Sequence, residues 1–452
     1  MLFGSSRRHG GRDVTALGLF CLSYILWRPV SNGVVLYPVL ALLAASALAR
    51  CVTGQRRVFR SFAVTGYLLI VAGLITALVG SVNATPGFAQ QSTVWFGSTF
   101  IWGLWAVSMT RDKVRLTLRV VTIATALLSG LIILYIGANQ GILPSIVPDS
   151  LLNAQGAGYD LTGDGSAIRL YGLSTLAAAG PLVSSALVAG KDKFLPSRAL
   201  LAVATILAVL AAIFAGRRAI AAVTIASPLV TYALLRLLRP RAHVARPTTR
   251  LLKWILGAPL ILVLSVVAFH FSLLDRPLAA LGDGLHLYFN IGNSSGGAKA
   301  ASDVVREQQT GELVTAWGGH PWFGSGLGAV LPDGFVRSAD RPWMFELQYH
   351  QLLFSSGLVG AGLLSAAFVS AWHGVRRAAA ASPEHVPTIV ATSVAAISML
   401  VANASNPYLQ AVGNGWAIAL ILGVANALLV PKVEAVVPVG SGTMSSVGLF
   451  HR

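Results

Sequence analysis

The sequence predicts an all-α polytopic membrane protein with about twelve transmembrane helices, both termini in the cytoplasm and a large outer loop between helices 9 and 10. Three observations support this fold class. Hydrophobic residues make up 55% of the 452 residues and charged residues only 11%, whereas charged residues are about a quarter of a soluble domain. Apolar runs of membrane-spanning length recur along the chain, and the basic residues follow the alternation of a membrane topology.

The apolar runs define the predicted spans. Each has roughly 17 to 25 residues, enough to cross about 30 Å of hydrocarbon. They begin near Thr15, Gly33, Ala63, Thr93, Thr117, Leu170, Ala199, Ala219, Leu252, Leu347, His385 and Ala411.

The spans divide the chain into four regions. We expect transmembrane helices 1 to 9 over residues 1–274, an extracytoplasmic loop domain over 275–345, transmembrane helices 10 to 12 over 346–430, and a disordered cytoplasmic tail over 431–452. Within the loop domain, the stretch from Ala300 to Trp317 has the apolar spacing of a helix.

The formal charge of +17 reflects topology. The basic residues are scattered over short loops without a stripe interleaved with aromatics, which argues against nucleic acid as a partner. With the N-terminus in the cytoplasm, the basic turns face inward, as the positive-inside rule requires. These turns are Arg50 to Arg60, Arg111 to Arg119, Lys191 to Arg198, Arg236 to Lys253, and Arg376 with Arg377.

Motifs for metal or nucleotide chemistry are missing from the sequence. It contains no glycine-rich phosphate loop and no cluster of metal ligands, and the nine histidines are dispersed. We therefore expect chemistry that needs no metal and no cofactor.

An arginine pair lies where arginines are normally sparse. Arg217 and Arg218 follow Gly216 at a tight turn between two apolar runs, on the side predicted to face outward. Arginine suits a phosphate diester or pyrophosphate, because its planar guanidinium donates two parallel hydrogen bonds and stays charged. The alternative is that each arginine extends to lipid headgroups.

Two more arginines have suitable positions on the outer side. Arg169 opens the sixth span, and Arg306 lies in the large loop. We therefore expect separate stretches of the chain to converge on one outward cavity that contains Arg169, Arg217, Arg218 and Arg306.

The order of several motifs resembles that of a known family. Arg306 lies fourteen residues before the block His320 to Gly328, which reads His-Pro-Trp-Phe-Gly-Ser-Gly-Leu-Gly. A helix from Glu346 with a Gly-x-x-Gly pair at Gly357 and Gly360 follows. Together with the Gly-Arg-Arg turn and, more weakly, the Arg-Leu-Tyr-Gly stretch from residue 169, these motifs resemble the O-antigen ligase and polymerase superfamily.

The resemblance implies a GT-C-like membrane glycosyltransferase in a bacterial plasma (inner) membrane. Such proteins transfer a glycan from an undecaprenyl-pyrophosphate carrier to a glycan or lipid acceptor at the outer face, without a metal or nucleotide sugar. Arg218 occupies the arginine position of the family's small-Gly-x-Arg-small motif. The resemblance implies that Arg218 and Arg306, with Arg217 and Arg169, hold the carrier's pyrophosphate. Ligase-type members have a histidine where this chain has Glu346, eleven residues before Gly357, so a polymerase-like enzyme is favoured over a ligase.

Two residues are candidates for the general base. Glu346 can accept the proton of an acceptor hydroxyl, provided that its environment raises its pKa or that the hydroxyl is well placed; alternatively, it pairs with Arg341 or caps the tenth span. His350 follows four residues later, on the same helical face. With Arg306, these residues form the predicted catalytic set.

Three residues are candidates for contact with the acceptor. His320 precedes a proline in a turn, Trp322 can stack on a sugar ring, and Tyr349 lies at the start of the helix. A tryptophan at this position also fits the membrane interface. The glycines from Gly324 to Gly328 are expected to supply tight turns or close backbone approach.

A rival interpretation keeps the fold and changes the function. Twelve spans with both ends inside are also the common layout of a secondary transporter or polysaccharide flippase. The two halves show no matching hydropathy, and one long outer loop lies late in the chain. An enzyme is therefore the favoured hypothesis.

Overall fold

The computed structural model describes residues 6–30, 33–53, 58–139, 143–148, 170–215, 217–238, 301–331 and 340–430. For residues 6–12, 33, 218 and 301–305 it describes the backbone alone. Over these ranges every long element is an α-helix, and they contain no β-strand. The predicted all-α class is confirmed for this part of the chain.

The helices are numbered here in chain order. They are α1 (Ser6–Trp27), α2 (Gly33–Thr53), α3 (Arg60–Val82), α4 (Phe88–Val107), α5 (Arg111–Asn139), α6 (Leu176–Ala189), α7 (Arg198–Phe214), α8 (Arg218–Leu238), α9 (Ala301–Gly319), α10 (Gln348–Ala381), α11 (Val386–Asn403) and α12 (Trp416–Leu429). Helix α9 confirms the helix predicted inside the large loop.

Seven segments within the described ranges are long and apolar enough to cross a membrane. They correspond to α2, α3, α5, α8, α10, α11 and α12, and shorter apolar helices at α1, α6 and α7 match three further predicted spans. Helix α4 lies at the predicted fourth span, and the ninth, near Leu252, lies outside the described residues. The fold therefore fits a helical membrane protein, while twelve spans and their orientation stay predictions.

The helices form a central group and a peripheral one. In α6 every residue except Leu187 is buried, and 83% of the apolar window of α11 is buried, against 28% for α2 and for α3. A helix that is apolar all round is stable where other helices surround it, and the small residues of α6 permit that close packing. The peripheral helices expose large apolar side chains such as Leu78, 66% exposed, which suits a lipid environment.

Turns that the topology assigns to the outer side lie together at one end of the bundle. The Thr175 hydroxyl, just before α6, donates to the carbonyl of Leu26 at the end of α1, 2.7 Å away. The amide of Gly87, between α3 and α4, donates to the carbonyl of Gly328 after α9, at 3.0 Å. A Cβ on Gly413, before α12, would lie 2.4 Å from the Pro29 oxygen.

Turns assigned to the inner side meet at the other end. Asp192, between α6 and α7, contacts His385 before α11 at 3.0 Å. The amide of Phe59, before α3, donates to the Asn426 side chain near the end of α12, at 2.9 Å. The contacts fit the predicted alternation, and which end faces outward remains a prediction.

Helix α10 is interrupted in a way that fixes the loop before it. Gly357 has a φ of 61° and a ψ of −166°, so the helical hydrogen-bond pattern breaks there. The carbonyls of Phe354 and Ser355 instead accept from the amides of Ser325, at 2.8 Å, and Gly326, at 2.9 Å. Loop amides thus satisfy backbone carbonyls that the break would leave unpaired.

The glycines of this loop are needed for its close fit. Gly324, Gly326 and Gly328 have φ values of 69°, 94° and 77°, a region that side chains disfavour. A Cβ on Gly326 would lie 2.3 Å from the Gly80 Cα, and one on Gly328 would lie 2.1 Å from the Gly87 carbonyl carbon. The prediction of tight turns and close backbone approach is confirmed.

Candidate functional site

An ion pair joins the large loop to the segment before α10. The Arg306 Nε, near the start of α9, donates to the Glu346 Oε2 at 2.9 Å. The two side chains are 31% and 19% exposed. Two residues that the sequence proposed independently as carrier ligand and catalytic base are therefore in direct contact.

A buried side-chain amide fixes the backbone of the segment that carries this carboxylate. Gln309, one turn after Arg306 on α9, is fully buried. Its Oε1 accepts from the amides of Glu346 and Leu347, both at 3.0 Å. Since α9 supplies both the arginine and this acceptor, the segment before α10 has a fixed register against it.

The structure corrects three expectations about Glu346. Its described partner is Arg306 and not Arg341. It does not cap the tenth span, because the N-cap of α10 is Leu347, which has no side-chain cap bond. It also precedes the helix, which begins at Gln348, so the helical spacing that was expected to align it with His350 does not apply.

A tyrosine that the sequence analysis did not select lies near the same arginines. Tyr408 occupies a short turn between α11 and α12. Burial raises the pKa of its hydroxyl, and the charges of Arg217 and Arg306 act in the opposite direction. Because burial dominates, the hydroxyl stays protonated at neutral pH and is a hydrogen-bond donor. Since the charges of both arginines act on this hydroxyl, the α7–α8 turn that carries Arg217 lies at the same end of the bundle as Arg306.

Several buried polar atoms near the ion pair have no partner among the described residues. Of the thirteen such side-chain atoms in the described ranges, five belong to Gln309, to residues within three positions of Glu346, or to the Tyr408 turn. They are Gln309 Nε2, Trp343 Nε1, Gln348 Oε1, Tyr408 OH and Gln410 Oε1. Buried polar groups are usually hydrogen-bonded, so each exception needs an explanation; a polar ligand would supply one.

The turn between α11 and α12 is attached to this cluster. The Gln410 Nε2 donates to the carbonyl of Phe345 at 3.3 Å and also to the Gln351 side chain on α10. The Gln351 Nε2 donates to the Trp343 carbonyl at 3.2 Å. Side-chain amides from α9, α10 and the turn between α11 and α12 therefore hold the site together, at the end of the bundle that is predicted to face outward.

The remaining predicted pyrophosphate ligands are only partly described. Arg217 is half-buried at the turn before α8. Arg218 is the first residue of α8, but its side chain lies outside the described residues, as does all of Arg169. The described contacts do not test the predicted role of these three arginines as pyrophosphate ligands.

The second candidate base has a different environment. His350 is half-buried in the first turn of α10. Across the described ranges it makes no hydrogen bond or ion pair, whereas Glu346 is oriented by two partners. The geometry thus favours Glu346 as the positioned group.

The three residues predicted to contact the acceptor have different environments in the structure. The Tyr349 hydroxyl donates to the Leu400 carbonyl on α11, at 2.7 Å, so it joins two helices. Trp322 is 64% exposed. The His320 carbonyl accepts from the Gly324 amide at 2.9 Å. His320 is also one of the residues that line a cavity.

That cavity lies beside α9 and has a volume of about 630 Å³. From α9 it takes residues Glu307, Gln308, Gly311, Glu312, Thr315, Ala316 and Gly319, and from elsewhere His320, Ser325, Val330, Leu331 and Phe354. At about 100° per residue, these α9 positions lie on the face of the helix opposite to Arg306. The cavity is therefore a second feature, separate from the ion pair.

The fold and the site define the class as a helical membrane protein with a polar cluster at one end of the bundle. No protein-family model matches the sequence, and no curated protein matches it. The superfamily resemblance therefore continues to depend on the motifs themselves.

Sequence reasoning missed Gln309 and Tyr408 for different reasons. Gln309 is one of several polar residues on α9, and only the fold shows which are buried. Tyr408 lies in the turn Asn403 to Gln410, where amides and a tyrosine are grouped between two apolar runs. That density of polar residues was the available signal.

Proposed function

We propose that this protein is a membrane glycosyltransferase that transfers or polymerises a glycan from an undecaprenyl-pyrophosphate carrier at the outer face of a bacterial plasma membrane. The observation that carries the proposal is the Arg306–Glu346 pair at 2.9 Å, within a group of buried polar atoms that have no partner among the described residues. The superfamily resemblance supplies the substrate class.

In the proposed reaction, an acceptor hydroxyl attacks the anomeric carbon of the carrier-linked glycan. Glu346 takes the hydroxyl proton as the new C–O bond forms. The bond between the anomeric carbon and the pyrophosphate oxygen breaks, and the lipid pyrophosphate leaves with the electron pair. No metal or cofactor is required for this balance.

Arginines at the leaving group would contribute most as that bond breaks. Negative charge increases on the pyrophosphate in the transition state, so donors already oriented toward it stabilise that state more than the substrate. Arg306 and Arg217 are the described candidates, with Arg218 and Arg169 as further ligands. The Arg306 contact with Glu346 is compatible with this role, because a guanidinium has five N–H donors.

Tyr408 adds a neutral donor to this set. Its raised pKa keeps the hydroxyl protonated, so it can donate to a phosphate oxygen without adding charge. A neutral donor beside two arginines would help bind the pyrophosphate oxygens in one orientation.

The acidic residue at position 346 favours polymerase-like chemistry over ligation, because ligase-type members of the family have a histidine there. The partners are then the lipid-linked glycan, a growing glycan or lipid acceptor, and the surrounding membrane lipids.

The direct test is reconstitution of the full chain in proteoliposomes with an undecaprenyl-pyrophosphate-linked oligosaccharide. Mass spectrometry should detect a lengthened or transferred glycan together with free undecaprenyl pyrophosphate. The variants Arg217→Ala, Arg218→Ala and Arg306→Ala should insert normally and lose most of the product. If all three match the parent protein, the carrier-pyrophosphate proposal is wrong.

The same vesicles separate the enzyme from a transporter. A flippase would move the labelled lipid-linked glycan between leaflets with no new glycosidic bond. Leaflet exchange without product would therefore replace the enzyme proposal with the rival function.

A further inference from the structure

The geometry points to a second carbohydrate site: the cavity beside α9 binds a neutral stretch of glycan several sugars long. This inference rests on the proposed function for the kind of glycan, but its binding test is independent of catalysis. It concerns the face of α9 that does not contact Glu346.

The shape of the cavity is that of a groove along the helix. Its lining includes two adjacent rows of α9 residues at i, i+4 spacing, one from Glu307 through Gly311 to Gly319 and the other from Gln308 through Glu312. Residues 307 and 319 are about 18 Å apart along the axis, at 1.5 Å per residue. The volume of about 630 Å³ is within the range of ligand sites, roughly 300–1,000 Å³. A groove of that length suits an oligosaccharide better than a single sugar.

The chemistry of the described lining suits hydroxyl groups. It includes the carboxylates of Glu307 and Glu312, and neither lysine nor arginine is among its described residues, so this part of the lining favours a neutral ligand over a phosphate. Carboxylates accept strongly from sugar hydroxyls, and Thr315 adds a donor and acceptor. Val330, Leu331 and Phe354 add apolar atoms to the wall of the cavity.

One carboxylate of the groove is already oriented. The Gln308 Nε2 donates to the Glu312 Oε1 at 2.9 Å, and the Glu312 Oε2 is buried without a partner among the described residues. An acceptor that is already held in place loses less side-chain entropy when a ligand binds.

The position of the groove gives it a function in polymer synthesis. Helix α9 lies between the groove and the arginine site, and His320 and Ser325 connect the groove to the glycine-rich loop. A glycan held there stays tethered to the protein while its end is elongated. Loss of the groove should therefore shorten the products more than it slows a single transfer.

Two glycines of α9 provide a matched pair of variants. A Cβ added at Gly311 or at Gly318 meets nothing within 4 Å, so either position accepts a larger side chain. Gly311 lines the groove and Gly318 is not among its lining residues. Gly311→Leu should fill the groove, and Gly318→Leu is the control for the same chemical change on the same helix.

The binding experiment uses the full chain in lipid nanodiscs. The probes are cello-, chito- and galacto-oligosaccharides, and neutral fragments of the source cell's own surface polysaccharide, measured by calorimetry. We expect saturable binding of at least one probe, weakened about tenfold or more by Gly311→Leu and by Glu312→Gln and unchanged by Gly318→Leu. Arg306→Ala should retain binding, and inorganic pyrophosphate should not compete.

Several outcomes would overturn the inference. They are the absence of saturable binding by every probe, equal binding by Gly311→Leu and the parent, or competition by pyrophosphate. Failure of glycan transfer with preserved oligosaccharide binding would instead reject the proposed function and leave the carbohydrate site. In the transfer assay, Gly311→Leu should shift the products to shorter chains, while Gly318→Leu should not.

Discussion

Two charged clusters lie at opposite ends of the bundle. They differ in burial and in how many of their polar atoms have hydrogen-bond partners, and this difference distinguishes a structural pair from a candidate site. At the predicted inner end, the Asp192 side chain is fully buried and contacts His385 at 3.0 Å. It also accepts from the Phe194 amide at 2.9 Å and the Thr388 hydroxyl at 2.7 Å. Both carboxylate oxygens are thus used, and the His385 ring stacks on Phe194 with centroids 4.1 Å apart.

The Arg306–Glu346 cluster at the other end is organised differently. Its two side chains remain 31% and 19% exposed, and several neighbouring polar atoms are buried without partners among the described residues. A fully satisfied buried network holds helices together. A partly exposed pair beside unsatisfied donors and acceptors can still bind a polar ligand. The comparison therefore favours a structural role for Asp192 and is compatible with the proposed chemistry at Glu346.

The largest expected effect comes from removing Arg306. Arg306→Ala should lower the rate of glycan transfer by about 100-fold or more, because it removes charge stabilisation at the leaving group and a partner of Glu346. Transfer is measured in proteoliposomes at matched protein content. Arg376→Ala, at an exposed arginine on α10, is the control and should keep parental activity. Equal losses in both variants would reject a specific role.

Neutralising Glu346 tests the assignment of the base. Glu346→Gln keeps an oxygen that can accept from Arg306 but loses proton affinity, so transfer should fall about 100-fold. His350→Ala, compared at matched expression, should have the smaller effect. A fully active Glu346→Gln would eliminate the carboxylate, and an inactive His350→Ala would transfer the role to the histidine.

Breaking the inner cluster should change stability rather than chemistry. Asp192→Ala leaves the donors of His385 and Thr388 without their acceptor, which costs about 1–3 kcal/mol for a buried group. The melting temperature in detergent should fall, while activity per folded molecule stays near the parental value. A selective loss of transfer, with unchanged melting, would contradict the division between the two clusters.

The smallest change concerns one hydroxyl. Tyr408→Phe keeps the ring and removes a buried group with no partner in the described residues, so the melting temperature should be unchanged or higher. If the hydroxyl donates to the carrier pyrophosphate, the KM for the lipid-linked substrate should rise about tenfold. An unchanged KM would exclude Tyr408 from the carrier site and leave the arginine proposal intact.

Much of the fold could be predicted because its cause is local. The length and polarity of each apolar run follow from the cost of unpaired backbone groups in hydrocarbon. The helices α2 to α8 and α10 to α12 therefore begin within about six residues of the predicted spans. The φ values of Gly324 and Gly357 likewise express a preference that glycine has in any sequence.

The candidate site was predictable only in part. The predicted topology selected Arg217 and Arg306, because arginines are rare on the outer side of a membrane protein. The order of the motifs selected Glu346. The sequence did not show whether Glu346 would pair with Arg306 or with Arg341. The pairing depends on how α9 packs against the start of α10. Tyr408 is uncharged and is one of ten tyrosines, so the polar residues grouped around it between two apolar runs were the only signal.

The sequence by itself determined an α-helical chain with apolar, membrane-length segments, a helix inside the large loop and arginines in unusual positions. These properties depend on composition and short-range periodicity. Only the tertiary structure shows which polar groups are in contact. Arg306 contacts Glu346, Gln309 accepts from the Glu346 amide, and the face of α9 opposite Arg306 lines a cavity. Those depend on packing between segments far apart in the chain, where a shift of one residue along α9 turns a side chain by about 100° and changes every partner.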